Sequence, residues 1–457
     1  MSLVYNGFGM EFSQNRLESV SFKIGLLGLG TVGTGTAEIL LSPEGRHPLV
    51  QELEVYRVGV RDLSKPRDVQ LSKEILTTDL EAIATDPEVD IVVELLGGLE
   101  PARSLILKAI AHGKHVVTAN KAVISRFAAE IFDAANEKGV YVMLEAAVGG
   151  GIPVIQPLKQ ALGVNRIQTI TGIVNGTTNY ILTRMQNEGA DFADVLADAQ
   201  KLGYAEADPT ADVEGLDAAD KIAILASLAF GGRIKLDEVY HEGITKVGAA
   251  DIAYAEKLGF VIKLLAVAKQ MTVASNEPEQ LQVRVHPTLV PKQHPLASVS
   301  GVYNAIFVEG DPIGQVMFYG RGAGAGPTAS AVVSDILNIA SILKTSAVPQ
   351  SPVSNLHPLL ACTHQHYCQI APMEELVTRF YARFLTKDSP GVIGHLGTAF
   401  GNHGVSLESV VQTGFRGDLA EIVVVTHDVR EGNFRQALAE IRALEAVDSI
   451  ASLLRVL

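Results

Sequence analysis

The stretch LDAADKIAILASLAF carries an aspartate and a lysine four residues apart, Asp217 and Lys221. In a helix that spacing puts both on one face. After Ile222 the stretch is so apolar that the helix must be largely buried, which leaves the Lys221 amine at the edge of the buried part. A partly desolvated lysine beside a carboxylate can supply the proton that a nascent alkoxide needs when hydride reaches an aldehyde carbon. The chain leading into this helix is acidic: residues 188–220 hold ten Asp or Glu and one lysine, Lys201. Glu206, Asp208, Asp212 and Glu214 lie in that run and would attract an ammonium group, so an amino-acid substrate fits better than a plain aldehyde. The same acids favour a charged Lys221, which suits reduction; oxidation is expected to gain speed toward alkaline pH.

The hydride must come from somewhere, and GLGTVG near the N-terminus offers a place for its carrier. Gly28 allows a tight turn, Gly30 lets backbone approach a pyrophosphate and Gly33 permits close packing of the following helix, with Leu29, Thr31 and Val32 completing the turn. The N–H groups of that helix would face the anion. Just after the second strand come Arg61 and Asp62, then Lys65 and Arg67. An acid there would take ribose hydroxyls and a cation a 2′-phosphate, so NADP(H) is favoured and NAD(H) is compatible. In KHVVTANKA, Lys121 leaves a strand tip, where open sheets place their ligands, and can hold a substrate carboxylate or hydroxyl.

Positioning these groups requires a sheet. Strands are expected from residue 21, over 54–60, 90–95, 115–118 and 140–144, with helices over 102–112 and 124–137 between them, an alternation that predicts a Rossmann-type doubly wound parallel sheet over residues 21–150. The glycine run in LEAAVGGGIP marks the exit from that domain. Residues 151–320 read as an α+β catalytic and dimerisation domain, in which 165–182 begins as a strand and passes through Gly176 into a helix. A helix over 321–350 returns the chain to the nucleotide domain.

The whole chain has 457 residues, against roughly 100–200 per domain, so two to four domains are expected. With 47% hydrophobic and 19% charged residues it can bury large cores. A formal charge of −14 disfavours nucleic acid and anionic membrane as partners. The longest strongly apolar run, 222–230, is far short of the about 20 residues a bilayer needs. Two cysteines are too few for a disulfide framework, and residues 1–20 lack a basic start followed by an apolar run, which points to the cytoplasm. An acylating semialdehyde dehydrogenase would need a catalytic cysteine, but Cys362 and Cys368 both lie far from the acidic run.

GLGTVG, TANKA, EAAVGGGIP, GIVNGTTNYIL, LGYAEADPTADVEGLDAADK and GRGAGAGPTASAVVSDI occur in this order within residues 21–345. Together they resemble the blocks of homoserine dehydrogenases. The resemblance implies interconversion of L-homoserine and L-aspartate 4-semialdehyde with NAD(P), as a step toward threonine, methionine and isoleucine. It implies Lys221 as proton donor and acceptor with Asp217 positioning it, Glu206 binding substrate with Asp212, Tyr204 and Thr177, and Lys121 between cofactor and substrate. It also implies a monovalent cation, typically sodium, on Glu145 and the backbone of Val148, Gly150 and Ile152, and places Gly326 beside the cofactor. Residues 1–20 form an extension with no counterpart in these blocks and are too short to be a kinase domain, so a monofunctional enzyme is implied.

A connector over 351–375 precedes the last domain, introduced by Pro349, Pro352 and Pro358. In ACTHQHYC, Cys362, His364, His366 and Cys368 alternate, so an extended chain would line them up, and zinc could use such a set, although the spacing is unlike that of structural zinc sites. Residues 376–457 read as β, α, β, β, α, β, the ferredoxin-like order. KDSPGVIGHL resembles the first turn of an ACT domain, with Gly391 freeing the loop for a ligand, which implies L-threonine as effector at an interface between paired modules and a homodimer or homotetramer. Read as a separate tail, this domain is expected to be removable without loss of turnover.

Overall fold

The computed structural model describes residues 21–271, 280–345 and 356–457. The N-terminal extension and the proline-bearing start of the connector lie outside them.

The first domain comprises β1 (Phe22–Leu27), α1 (Thr31–Leu41), β2 (Leu53–Gly59), β3 (Leu76–Thr77), α2 (Leu80–Thr85), β4 (Ile91–Glu94), α3 (Ala102–Ala111), β5 (His115–Thr118), α4 (Lys121–Lys138) and β6 (Val142–Met143). The strands form one parallel sheet in the order β3-β2-β1-β4-β5-β6. All four residues of β4 are buried, as expected for a strand covered on both faces. The order reverses between β1 and β4, and that is where a doubly wound sheet opens a crevice for its ligand. Two elements differ from expectation. Helix α4 starts at Lys121, three residues before its apolar spacing becomes regular, because the Asn120 side chain accepts the Val123 N–H at 3.2 Å and caps it there. Strand β6 is only two residues long because Leu144 already leads into a 3₁₀ turn over Glu145–Ala147.

The middle region adds α5 (Ile155–Lys159), β7 (Arg166–Ile173), α6 (Gly176–Glu188), α7 (Phe192–Lys201), α8 (Thr210–Val213), α9 (Leu216–Phe230), β8 (Tyr240–His241), α10 (Ala249–Lys257), β9 (Phe260–Gln270), β10 (Gln280–Pro291), β11 (Tyr303–Asp311) and β12 (Gly314–Arg321). The order β12-β11-β7-β9-β10 is antiparallel throughout. Helix α9 is bounded by Gly215 and Gly231, both left-handed, and nine of its residues are buried, including Asp217. The return helix α11 (Ala325–Thr345) lies on α1, so close that a Cβ on Gly35 would sit 2.9 Å from the Ala325 carbonyl oxygen. Among the described residues α11 alone is long and apolar enough to cross a bilayer; half of its apolar window is buried inside the protein instead.

The last domain contains β13 (Gln369–Ile370), β14 (Val377–Lys387), α12 (Val392–Asn402), β15 (Leu407–Arg416), β16 (Leu419–Thr426), β17 (Val429–Arg430), α13 (Glu431–Arg442) and β18 (Val447–Val456). Its main strands take the ferredoxin-like order β18-β14-β16-β15. This domain is not a free tail. Strand β18 pairs in parallel with β10 at Thr288↔Arg455 and Leu289↔Val456, and β13 pairs with β10 as well, so one 12-stranded sheet runs through both regions. Two ion pairs cross the same junction, Arg383 with Asp251 of α10 at 2.7 Å and Arg455 with Glu242 at 3.0 Å, and within the last domain Glu421 at 2.9 Å and Glu431 at 2.6 Å hold the same two arginines. Burial works against the Arg383 charge, but the hydrogen bond and charge of Asp251 raise its pKa well above normal.

The expected alternation is kept in part over 362–365, where Cys362 and His364 are half-buried and Thr363 and Gln365 are exposed, but no regular strand forms there. Tyr367 makes only an isolated bridge to Arg233, Cys362 Sγ lies 3.7 Å from His364 Nδ1, and a Cβ on Gly232 would be 2.5 Å from Cys368 Sγ. Among the described residues no three His, Cys, Asp or Glu side chains are grouped to hold a metal ion, so these residues pack the connector against α4 and α9 rather than forming a zinc site.

Candidate active site

The cofactor end is built on the turn after β1. Gly28 is left-handed at φ 108°, and a Cβ there would sit 2.9 Å from the Leu95 carbonyl oxygen. At Gly33 a Cβ would lie 2.2 Å from the Gly28 oxygen, so this glycine lets α1 start tight against the turn. Gly30 is different, because a Cβ there would meet nothing within 4 Å. The space in front of it is a cleft of about 860 Å³, lined among others by Gly28, Leu29, Gly30, Thr31, Arg61 and Ala325. No side chain caps α1 at Gly30, which leaves its first-turn N–H groups for a ligand. Val32 packs into the apolar core instead. Gly326 follows Ala325 in the first turn of α11, with open space where its Cβ would be.

Beside this cleft, Asp62 Oδ1 accepts from the Ser64 hydroxyl at 2.7 Å and the Ser64 N–H at 2.8 Å. Those bonds hold its carboxyl below the ordinary range. Arg67 folds back on the carbonyls of Lys65 and Asp62. Arg61 and Lys65 are the cations of this loop that remain exposed on the cleft wall.

The second half of the site is a compact charge cluster. Lys221 Nζ donates to Asp217 Oδ2 at 2.6 Å and to the Val174 carbonyl at 2.7 Å, with its side chain only 12% exposed. Lys121, at the first position of α4, places its Nζ 3.0 Å from Asp217 Oδ1. The sequence-predicted trio is therefore joined through one carboxylate. Burial alone would push the Asp217 carboxyl up, but Lys221 and Lys121 more than reverse this and hold it well below the usual carboxylate range. For Lys121 burial pushes downward, and Asp217, with Asp220 and Asp212 beyond it, turns the net shift upward. Both groups stay charged near neutral pH. Helix α4 is fixed against α9 by Asp220, which takes the Ser125 hydroxyl and the Arg126 guanidinium, each at 2.8 Å.

Around the cluster, Thr177 donates to the Tyr204 carbonyl at 2.7 Å and so ties the loop after α7 to the start of α6. The Tyr204 ring leans on Tyr180 at 4.8 Å and is 47% exposed. Glu206 is exposed, held only through its backbone oxygen by Gln200. Among the described residues no hydrogen bond or ion pair ends on its carboxylate, whereas Asp212 is tied to Asp217 through the Asn175 amide. One buried residue escaped the sequence reading: Asn175, whose amide reaches both Asp212 and Asp217. Its position just before the Gly-Thr-Thr start of α6 was the available signal.

Family models cover most of the chain: one described as homoserine dehydrogenase, NAD binding domain matches residues 28–145, one described as homoserine dehydrogenase matches 153–337, and an ACT domain model matches 380–446. A homoserine dehydrogenase of Synechocystis sp. is 69% identical over 438 residues, covering 96% of this chain and all of that protein. The chain belongs to the homoserine dehydrogenase family. The crystal structure of a homoserine dehydrogenase from Thiobacillus denitrificans superposes with a TM-score of 0.85 at 41% identity, covering 96% of this chain and 98% of that one. A hyperthermophilic archaeal homoserine dehydrogenase in complex with NADPH aligns with a TM-score of 0.58 at 27% identity, over 71% of this chain and 98% of that one. Family membership makes this chain an NAD(P)-linked oxidoreductase acting on a CH–OH group.

The Glu145 carboxylate is not available to a cation, because it accepts the N–H groups of Val154, Ile155 and Gln156 at 2.6, 2.8 and 2.8 Å and caps α5. Burial raises its pKa, with those three bonds opposing. What the turn offers instead is carbonyl oxygen. Among the described residues no hydrogen bond outside the helices ends on the carbonyls of Glu145, Val148, Gly150 or Ile152, and all four residues are buried. Buried carbonyls without donors suit a hard monovalent cation.

Proposed function

We propose that the enzyme interconverts L-aspartate 4-semialdehyde and L-homoserine, preferring NADP(H), with Lys221 as the proton donor in reduction. One observation carries the assignment: two of the three Lys221 N–H bonds are spent on fixed acceptors, Asp217 and the Val174 carbonyl, which leaves one proton free to be given. A bound nicotinamide would supply hydride to the aldehyde carbon. As the carbonyl electrons move onto oxygen, the ammonium transfers its proton to that oxygen and is left as an amine, which solvent reprotonates. Lys121, paired to the far oxygen of Asp217, orients substrate, while Asp212, Glu206, Thr177 and Tyr204 provide the acids and hydroxyl that receive the amino-acid end.

Arg61 and Lys65 on the cleft wall, with the Asp62 carboxylate engaged by Ser64, support NADP(H) over NAD(H). A monovalent cation such as sodium on the four carbonyls would stiffen the turn between the nucleotide domain and α5. In the ACT domain, the loop through Gly391, left-handed at φ 90°, borders a cavity of about 240 Å³ that also involves Gln412 and Ile422, a size and place suited to L-threonine as inhibitor. Paired ACT modules imply a homodimer or homotetramer, working in the cytoplasm. The test is spectrophotometric: NADPH absorbance should fall on adding aspartate semialdehyde, with a lower KM for NADPH than for NADH, and millimolar threonine should slow it. No consumption with either nucleotide would defeat the proposal.

A further inference from the structure

Asn175 sits between β7 and α6 and is 5% exposed. Its Oδ1 accepts from the Thr178 N–H at 2.9 Å and the Thr178 hydroxyl at 3.0 Å, which caps α6. Its Nδ2 donates to Asp212 Oδ1 at 2.7 Å and to Asp217 Oδ2 at 2.9 Å. The orientation of the amide is forced, because a flip would turn its oxygen toward two carboxylates and its NH₂ toward the Thr178 N–H. Asp212 belongs to α8 and Asp217 to α9, so a single uncharged group joins carboxylates from two helices. Like charges brought this close would otherwise repel or force one to take a proton. The preceding residue completes the arrangement, since the Val174 carbonyl receives Lys221 Nζ.

We propose that Asn175 is a positioning residue for the reaction: its amide bridges the Asp217 and Asp212 carboxylates and holds them side by side, one to hold Lys221 and the other to face the substrate ammonium. Its neutral NH₂ supplies one hydrogen to each carboxylate, and the cap at Thr178 keeps that NH₂ from turning away. The inference rests on Lys221 being the proton donor.

Two variants separate this role from helix capping. Asn175→Ser keeps a cap acceptor but removes the NH₂, and Asn175→Asp keeps the cap and shape but adds a third carboxylate. Both should fold, as judged by thermal melting and by NADPH binding. Asn175→Ser should lower kcat for NADPH oxidation with aspartate semialdehyde about a hundredfold and raise KM, since catalytic groups displaced by an ångström lose this much. Asn175→Asp should be worse at pH 8 and recover several-fold as pH falls, because a protonated carboxyl can donate again. Adding Asp212→Asn to Asn175→Asp should restore part of kcat by removing one of the crowded charges. If both single variants fold and keep wild-type kcat and KM, or if Asn175→Asp loses activity equally at every pH and gains nothing from Asp212→Asn, the proposal is wrong. Lys221→Met, assayed alongside, tells the two failures apart. An active Lys221→Met overturns the proton-donor reading itself, whereas an inactive Lys221→Met beside wild-type Asn175 variants overturns only the role of Asn175.

Discussion

Asp217 is the hub on which both lysines depend, and its loss should cost more than one contact. Asp217→Asn would leave Lys221 and Lys121 facing each other without the carboxylate that separates them. We expect kcat to fall by about 10² to 10⁴, measured by steady-state NADPH oxidation, with nucleotide affinity kept because the cleft at Gly30 is untouched; an unchanged kcat would show that the carboxylate does not orient the amine. The Asp217–Lys221 pair was legible in the sequence because i,i+4 spacing turns separation along the chain into proximity. Asn175 was not, because its partners lie 37 and 42 residues away and only tertiary packing brings them near. Glu145 was found by its block, but which of its oxygens faces the turn depends on α5, whose N–H groups claim the carboxylate.

Helix α9 carries Asp217 and Lys221, so whatever sets its start also sets the site. The short α8 and the left-handed Gly215 do this, and Gly243 is wedged beneath them: a Cβ there would lie 2.1 Å from the Val213 oxygen and 2.5 Å from Glu214 Cα. Gly243→Ala should therefore displace α8, destabilise the protein by about 1–3 kcal/mol and raise KM for the aldehyde through Asp212; urea unfolding and kinetics would show it, and a silent substitution would contradict this packing. Between β5 and β6, burial pushes His115 down to about 4, while its Nδ1 accepts the Tyr141 N–H at 3.0 Å. The unfolded chain takes up this proton near the ordinary imidazole value of 6.5, so it binds more protons than the folded state between pH 6.5 and 4, and stability falls as pH drops through that window. His115→Asn, which keeps an acceptor, should flatten this part of the stability profile; an unchanged slope would show that His115 does not titrate differently on folding. The parallel strands, α9 and the ferredoxin-like order all followed from periodicity and glycines, since these report local geometry. The early start of α4 did not, because it depends on one Asn120 cap.

The whole molecule departs most from a reading of the chain in segments. Composition and a proline-rich connector suggest a detachable tail, yet β18 joins β10 across 167 residues and Arg383 is buried against Asp251 of the middle region. No local pattern announces a two-residue parallel pairing, and Arg383 resembles any strand arginine until its partners are known. Removing residues 376–457 would expose that sheet edge and leave Asp251, fully buried, without its cation. Truncation should therefore yield aggregated or weakly active protein rather than an unregulated enzyme. Arg383→Met should cost about 3–5 kcal/mol, because Asp251 and Glu421 lose their cation in the interior; denaturant unfolding would measure it, and a soluble truncation with full turnover would refute the idea of one integral sheet.

The most direct test of the whole account is a single-turnover measurement with Lys221→Ala, following NADPH absorbance after mixing with aspartate semialdehyde while nucleotide and substrate affinities are determined separately. Hydride transfer should slow by about 10² to 10⁴ with both affinities largely retained. Transfer at the wild-type rate in a folded, fully loaded variant would show that the proton comes from elsewhere.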